Sequence, residues 1–225
     1  PDTDGDADAV GEPAPRVALT LTDGDGEADA DGEPARDADE DALTALALVV
    51  GEFSMYWVHR LAHEWDILWR FHAVHHSTRT MDWLAGSRMH FVDIFFTRML
   101  VYLPLFALGF EGAVLYTYVG IISIQAVMNH TNTRLPYGPL ERLLVSPRIH
   151  HWHHATTRDA YDKNFATHFP WIDRLLGTYH APGKEWPKAV GLYGVTFPKG
   201  FVRQHIYPFC HNPGTVLPAD KTSTR

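Results

Sequence analysis

The sequence predicts an all-α protein built on membrane-embedded helices, and three observations lead there. Apolar stretches run over residues 42–58, 91–110 and 112–128. The last two are separated by Glu111 alone, the pattern of a helical hairpin with a short apolar tip. Eleven of the fifteen histidines lie between His59 and His154, at spacings of three and four that a helix turns onto one face. With 225 residues, 45% hydrophobic and 20% charged, the chain fits one domain of ordinary size and neither a collagen-like nor a wholly disordered class. The single Cys210 excludes an intramolecular disulfide framework and any cysteine-built metal centre.

The net charge of −8 averages two unlike regions. Residues 1–42 hold fifteen Asp or Glu against Arg16 and Arg36, and the other 183 residues hold seventeen Lys or Arg against twelve acids. Residues 1–41, rich in Asp, Gly, Ala and Pro and without apolar periodicity, read as a disordered acidic tail or linker that cannot bury enough surface to offset its ordering entropy. The chain opens on Pro1 without a secretory signal pattern and reads as a processed or truncated product.

From Ala42 to Val58 the sequence is apolar except for Glu52 and two hydroxyl residues, at the lower edge of the about 20 residues a spanning helix needs. Residues 59–76 contain neither Pro nor Gly and read as helix. In the first hairpin arm Asp93 and Arg98 confine the uninterrupted apolar part to 99–110, which fits an oblique or shallow insertion. After His130, turn signals at Pro136, Gly138, Pro139 and Pro147 frame a helix expected over 139–146, with another near 170–176. From Ala181 onward Pro and Gly recur, so 186–225 is expected to be an irregular C-terminal tail. Arg60, Arg70, Arg79, Arg88, Arg134, Arg142, Arg148, Arg158, Lys163 and Arg174 all lie on the histidine-bearing side, which the positive-inside rule places toward the cytoplasm.

Three clusters carry the chemistry. HRLAH puts His59 and His63 one turn apart, HAVHH brings His72, His75 and His76 to one side, and HHWHH repeats that spacing with His150, His153 and His154 while His151 points elsewhere. One histidine alone is an ordinary core or surface residue, but eight convergent imidazoles leave too many ring nitrogens to satisfy without a shared purpose. Metal is the economical purpose, and the number exceeds the four ligands that close one structural site, so two metals are expected. Neutral imidazole suits iron, zinc, copper or nickel. His130, at the end of the returning hairpin arm, is a ninth ligand candidate. His90 reaches the same level and reads equally well as an interfacial histidine bonded to backbone, while His168, His180, His205 and His211 are isolated and read as surface residues.

The ordered set YWVHRLAHE, LWRFHAVHHST, NHTN, SPRIHHWHH and DKNFATHFPWIDRLLGTY resembles the fatty acid hydroxylase and sterol desaturase superfamily, membrane histidine-box di-iron oxygenases. The resemblance runs from about Tyr56 to Tyr179. It implies a catalytic domain over 42–185 that faces the cytoplasm from an integral membrane protein and hydroxylates or desaturates a lipid substrate such as a sterol or fatty acyl chain. Two iron ions would serve as cofactor, with O2 as co-substrate and an external electron donor, a cytochrome, ferredoxin or reductase; no nucleic acid is implied. The metal ligands it implies are His59, His63, His72, His75, His76, His130, His150, His153 and His154, with no catalytic residue beyond them. Some members carry a further histidine where this chain has Arg134, and most have more apolar sequence before the first box. Asp66, Asp162 and Asp173 are candidates for orienting ligand N–H groups or are exposed polar residues. Asn164 and Thr178 read as structural, and Trp57, Trp65, Trp69, Trp83 and Trp152 as lining of an apolar channel or, the safer reading, as interfacial anchors. An ether-lipid monooxygenase using a pterin and a carotenoid hydroxylase stay open within the class. The alternative is a non-catalytic membrane metal-binding or metal-transport protein, although a transporter places ionisable residues within its spans and these histidines cluster outside them.

Overall fold

Asp39, Glu40 and Asp41 open the longest helix, α1 (Ala38–Glu64), where carboxylates complement the unpaired N–H groups of a first turn. The computed structural model describes residues 38–110 and 112–211. The rest of the acidic stretch, the hairpin-tip Glu111 and the last part of the C-terminal tail lie outside the described residues, so only Ala38 to Asp41 of the expected tail are placed, and these are helical. At about 1.5 Å per residue, the 27 residues of α1 extend about 40 Å.

Six more helices follow: α2 (Asp66–His76), α3 (Phe91–Ala107), α4 (Gly112–His130), α5 (Pro147–His153), α6 (Pro170–Leu175) and α7 (Phe201–Cys210). Single 3-10 turns sit at Ala85–Ser87, Gly138–Arg142 and Arg158–Ala160, and among the described residues there is no strand, only an isolated bridge between Ala155 and Val190. The fold is all-α, and α1 and α4 are long and apolar enough to cross a membrane.

The hairpin of α3 and α4 packs against the first half of α1. Ala47, Leu105, Phe110, Val114, Tyr118 and Ile122 form that contact, and Gly51 lets the Tyr118 ring lie directly against the α1 backbone, where any Cβ would collide with it. Toward the other end of α1, Tyr56 packs with Phe165, Ala166 and Ile172 in a second core. The histidines lie past the second core along α1, at the end of the hairpin where α3 starts and α4 finishes.

Three local expectations change. Residues 59–76 are two helices, because Trp65 takes an extended backbone (φ −98°, ψ 117°) that turns α2 back along α1. No Pro or Gly marks this break; its cause is tertiary, the packing of His72 and His76 against His59 and His63 with ring centroids 4.6 to 5.0 Å apart. The helix expected over 139–146 is only a 3-10 turn at Gly138–Arg142, and the helix starts instead at Pro147, where Ser146 Oγ caps Ile149 N. The C-terminal tail contains α7, which packs on α2 through Phe71 and Phe209, ring centroids 5.3 Å apart.

Candidate metal centre

Each histidine cluster rides on a helix whose spacing aims its rings. His59 and His63 come from the end of α1, His72, His75 and His76 from α2, His130 from the last residue of α4, and His150 and His153 from α5 with His154 just past its end. All nine are buried. The structure sorts them into two groups: one ring nitrogen each from His59, His63, His72, His76 and His153 lies within 4.8 Å of the others, and the same holds for His75, His130, His150 and His154. Opposite nitrogens around one ion stand roughly 4 Å apart when each bond is about 2.0–2.1 Å, so each group has the span of one metal site.

The outward nitrogens settle the proton positions. Nδ1 of His59 donates to Phe165 O at 2.7 Å, of His130 to Ala126 O at 2.7 Å, of His153 to Lys163 O at 2.8 Å and of His75 to Arg88 O at 3.3 Å. A carbonyl only accepts, so these rings carry hydrogen on Nδ1 and a lone pair on Nε2. The Nε2 atoms of His75 and His130 then face each other at 3.2 Å as two lone pairs, which repel unless a cation lies between them. The Nε2 of His153 is buried with no hydrogen-bond partner among the described residues. One divalent cation in each group satisfies these atoms, His153 in the first and His75 and His130 in the second, and the donor set is one that iron, zinc, copper or nickel accepts.

Electrostatics agree with this use. Burial first, then mutual repulsion between imidazoles, holds His75, His76, His150, His153 and His154 well below the ordinary histidine range. The rings are neutral at cellular pH, with lone pairs free for a metal.

Asp93, in the first turn of α3, is the carboxylate nearest to the groups. It is buried and accepts from His72 Nδ1 at 3.0 Å, fixing that ring as the backbone carbonyls fix the others. Sequence reasoning passed over it, though a lone acid in an apolar arm one turn after His90 was the signal, since an unpaired buried charge is costly. Of the three acids named from sequence, Asp162 stands 3.7 Å from His63 Nδ1, while Asp66 is exposed at the start of α2 and so is not among the orienting groups. Asp173 acts one step removed: it accepts from the backbone N–H of Phe165 and Ala166 and from Thr178 Oγ1, and Phe165 O in turn holds His59. Asp93→Ala is expected to weaken metal binding about 10- to 100-fold, as loss of an outer partner commonly does, measured by competition with a chelator.

The remaining histidines divide differently. His151 donates from Nε2 to Thr131 O and packs edge-on against Trp186, away from both groups as its spacing implies. His90 spends both nitrogens on backbone, accepting from Val92 N as the cap of α3 and donating to His205 O. His168 departs from the surface reading: it is largely buried and hydrogen-bonded through Nδ1 to Glu52 of α1. Glu52 also accepts from Thr167 N and His168 N and from Thr167 Oγ1, while Asn129 Nδ2 donates to Thr167 O. The loop 165–168 is thus held by carboxylates from two sides. Among the tryptophans, Trp57, Trp65 and Trp83 are exposed, but Trp69 packs against His63 and His76, and Trp152 is buried with its N–H on Glu185 O. Asn164, at φ 56°, bonds Ile149 O and His180 through its side chain, and Thr178 bonds Asp173, the structural roles expected of them.

A cavity of about 130 Å³ rises from the imidazoles between α1, α3 and α4. His59, His72, His75, His130 and His150 line its floor, and Met55, Ile94, Val101 and Ile122 its apolar walls. Gly86 backs the His130 ring so closely that a Cβ there would stand 2.9 Å from its Nδ1.

Comparison with known families now decides the relationship, since the fatty acid hydroxylase family matches over residues 44–178. The chain belongs to the fatty acid hydroxylase family. As a member it is 36% identical to the ornithine lipid hydroxylase OlsE of Rhizobium tropici over 164 residues, which covers 73% of this chain and 49% of that protein. It is 32% identical to the alkylglycerol monooxygenase of Homo sapiens, over 65% of this chain and 32% of that protein, and 26% identical to a Delta(7)-sterol 5(6)-desaturase of Gibberella zeae. This fatty acid hydroxylase family chain thus spans about half or less of the length of these curated relatives. No solved structure matches it significantly.

Proposed function

We propose that this chain is the metal-bearing part of an O2-dependent enzyme that hydroxylates or desaturates a membrane lipid, with two iron ions held by the nine imidazoles. The observation that carries the reading is the two groups of inward nitrogens, with facing lone pairs, at the floor of an apolar cavity. His59, His63, His72, His76 and His153 would hold one ion and His75, His130, His150 and His154 the other. Iron supplies the redox chemistry needed to use O2 on an unreactive C–H bond, which zinc lacks. The chain's own residues do the rest. Burial keeps His75, His76, His150, His153 and His154 neutral, the Asp93 carboxylate holds His72 Nδ1, and the apolar walls exclude water and accept an alkyl chain.

Membrane insertion is part of the same reading. Phe95, Leu103, Phe106, Tyr116 and Ile124 of the hairpin are each more than half exposed, an apolar surface suited to hydrocarbon and not to water. The arginine-rich end, where the histidines lie, would face the cytoplasm and meet an electron-donor protein.

Anaerobic iron reconstitution of the purified chain is expected to give two irons per chain with a coupled-pair spectrum. Supplied with O2 and a reductase system, it is expected to convert a long-chain or polycyclic lipid to a hydroxylated or desaturated product. One tightly held zinc with no iron uptake would overturn the metal assignment; two irons with an unchanged lipid profile in a host containing the substrate pool would leave a metal-binding protein.

A further inference from the structure

One histidine outside the metal groups also borders the cavity. His168 lines it beside Thr167. Its side chain is only 12% exposed, its Nδ1 donates to Glu52 Oε2 at 2.5 Å, and its Nε2 is buried with no hydrogen-bond partner among the described residues. The backbone is pinned as well: His168 N donates to Glu52 Oε1 at 2.8 Å and His168 O accepts from Val145 N at 2.8 Å. Every other polar group of this residue is held, and one ring nitrogen is left over.

A buried polar atom without a partner costs free energy, and an apolar side chain would remove that cost. Here, instead, a buried carboxylate reaches from α1 to fix the ring. Because Nδ1 gives its hydrogen to Glu52, the Nε2 of the neutral ring carries a lone pair and accepts. That nitrogen belongs to neither metal group. Thr97, Arg98 and Asn129 also line the cavity, and beside them a fixed acceptor of this kind orients a ligand with one hydrogen-bond donor.

We infer that His168, held by Glu52, is a substrate-positioning residue: its Nε2 accepts a hydrogen bond from a hydroxyl or amide N–H of the lipid in the cavity and so sets which carbon stands over the metal groups. The inference rests on the lipid-oxidation reading for its ligand class, and its test reads binding apart from turnover.

The probes are radiolabelled hexadecylglycerol, with free hydroxyls, and its di-O-methyl ether, bound at equilibrium to the iron-loaded full chain in detergent. His168→Asn keeps an amide nitrogen where Nδ1 meets Glu52 and removes Nε2; His168→Gln carries a polar group out to the Nε2 position. Wild type is expected to favour the free alcohol. His168→Asn should lose about tenfold in affinity for the alcohol, the worth of one neutral hydrogen bond, and nothing for the ether. His168→Gln should recover most of that loss, with iron content unchanged in both. If His168→Asn fails to hold iron, His168→Phe, which keeps a ring and lacks both nitrogens, should show the same selective loss. Equal weakening for both lipids, no weakening for either, or a wild type that binds neither or favours the ether overturns the inference. Selective binding without oxidation of any lipid would sustain it and overturn the oxygenase reading, whereas oxidation with unaltered selectivity in the variants would do the reverse.

Discussion

His75→Ala and His153→Ala are each expected to cut lipid oxidation by at least about a hundredfold, more than the 10- to 100-fold that loss of an outer partner costs. The two residues belong to different groups of inward nitrogens, so each variant should first lose about one of two metal equivalents, and the double variant both. His151→Ala should keep both, because that ring spends Nε2 on Thr131 O and stands apart from the groups. Metal analysis beside an activity assay checks all of these. Equal metal loss from His151→Ala and His153→Ala would refute the facing of the third cluster.

Glu52→Ala is expected to destabilise the protein by at least about 3 kcal/mol, the cost of leaving several buried donors without an acceptor. The carboxylate takes hydrogen bonds from Thr167 N, Thr167 Oγ1, His168 N and His168 Nδ1, and truncation removes the acceptor of the two backbone N–H groups and of the Thr167 hydroxyl, leaving His168 Nδ1 only Thr167 Oγ1. Loop 165–168 also positions His59 through Phe165 O, so metal content should fall with stability. Glu52→Gln keeps an oxygen for the backbone N–H groups and should lose less. Thermal unfolding in detergent orders the three proteins, and an alanine variant as stable as wild type would sink the account.

The arrangement of the nine imidazoles was legible because spacing on a helix is geometry: i, i+3 and i+4 put rings on one side wherever the helix is placed, and the hairpin brings His130 back to their level. The split of the clusters across two groups was not legible. His75 leaves its neighbours His72 and His76 to join His130, and only the break at Trp65 aligns the two sides, through packing that no residue at the break announces. Glu52 showed in the sequence as an interruption of an apolar run, but its partner lies 116 residues away, and nothing local pairs it with His168. Asp93 was visible for the same reason and equally without its partner. The helix α7 was hidden because Pro208 and the Pro- and Gly-rich run before it mask a single amphipathic segment whose stability comes from docking on α2 and on the start of α3.

Helix α1 carries Ala47 in the hairpin core, then Glu52, Tyr56, His59 and His63, without an internal proline. From Ala47 to His63 it acts as a stiff rod about 24 Å long. Rotation about its axis by one residue, about 100°, would remove the loop anchor and two ring nitrogens together. In a bilayer the rod's tilt answers to hydrocarbon thickness, at a cost of fractions of a kcal/mol per ångström of mismatch. On the proposed membrane reading, and with no hinge to absorb that tilt, lipid composition would act as a mechanical input to the distance between the histidines of α1 and those of α2 and α5.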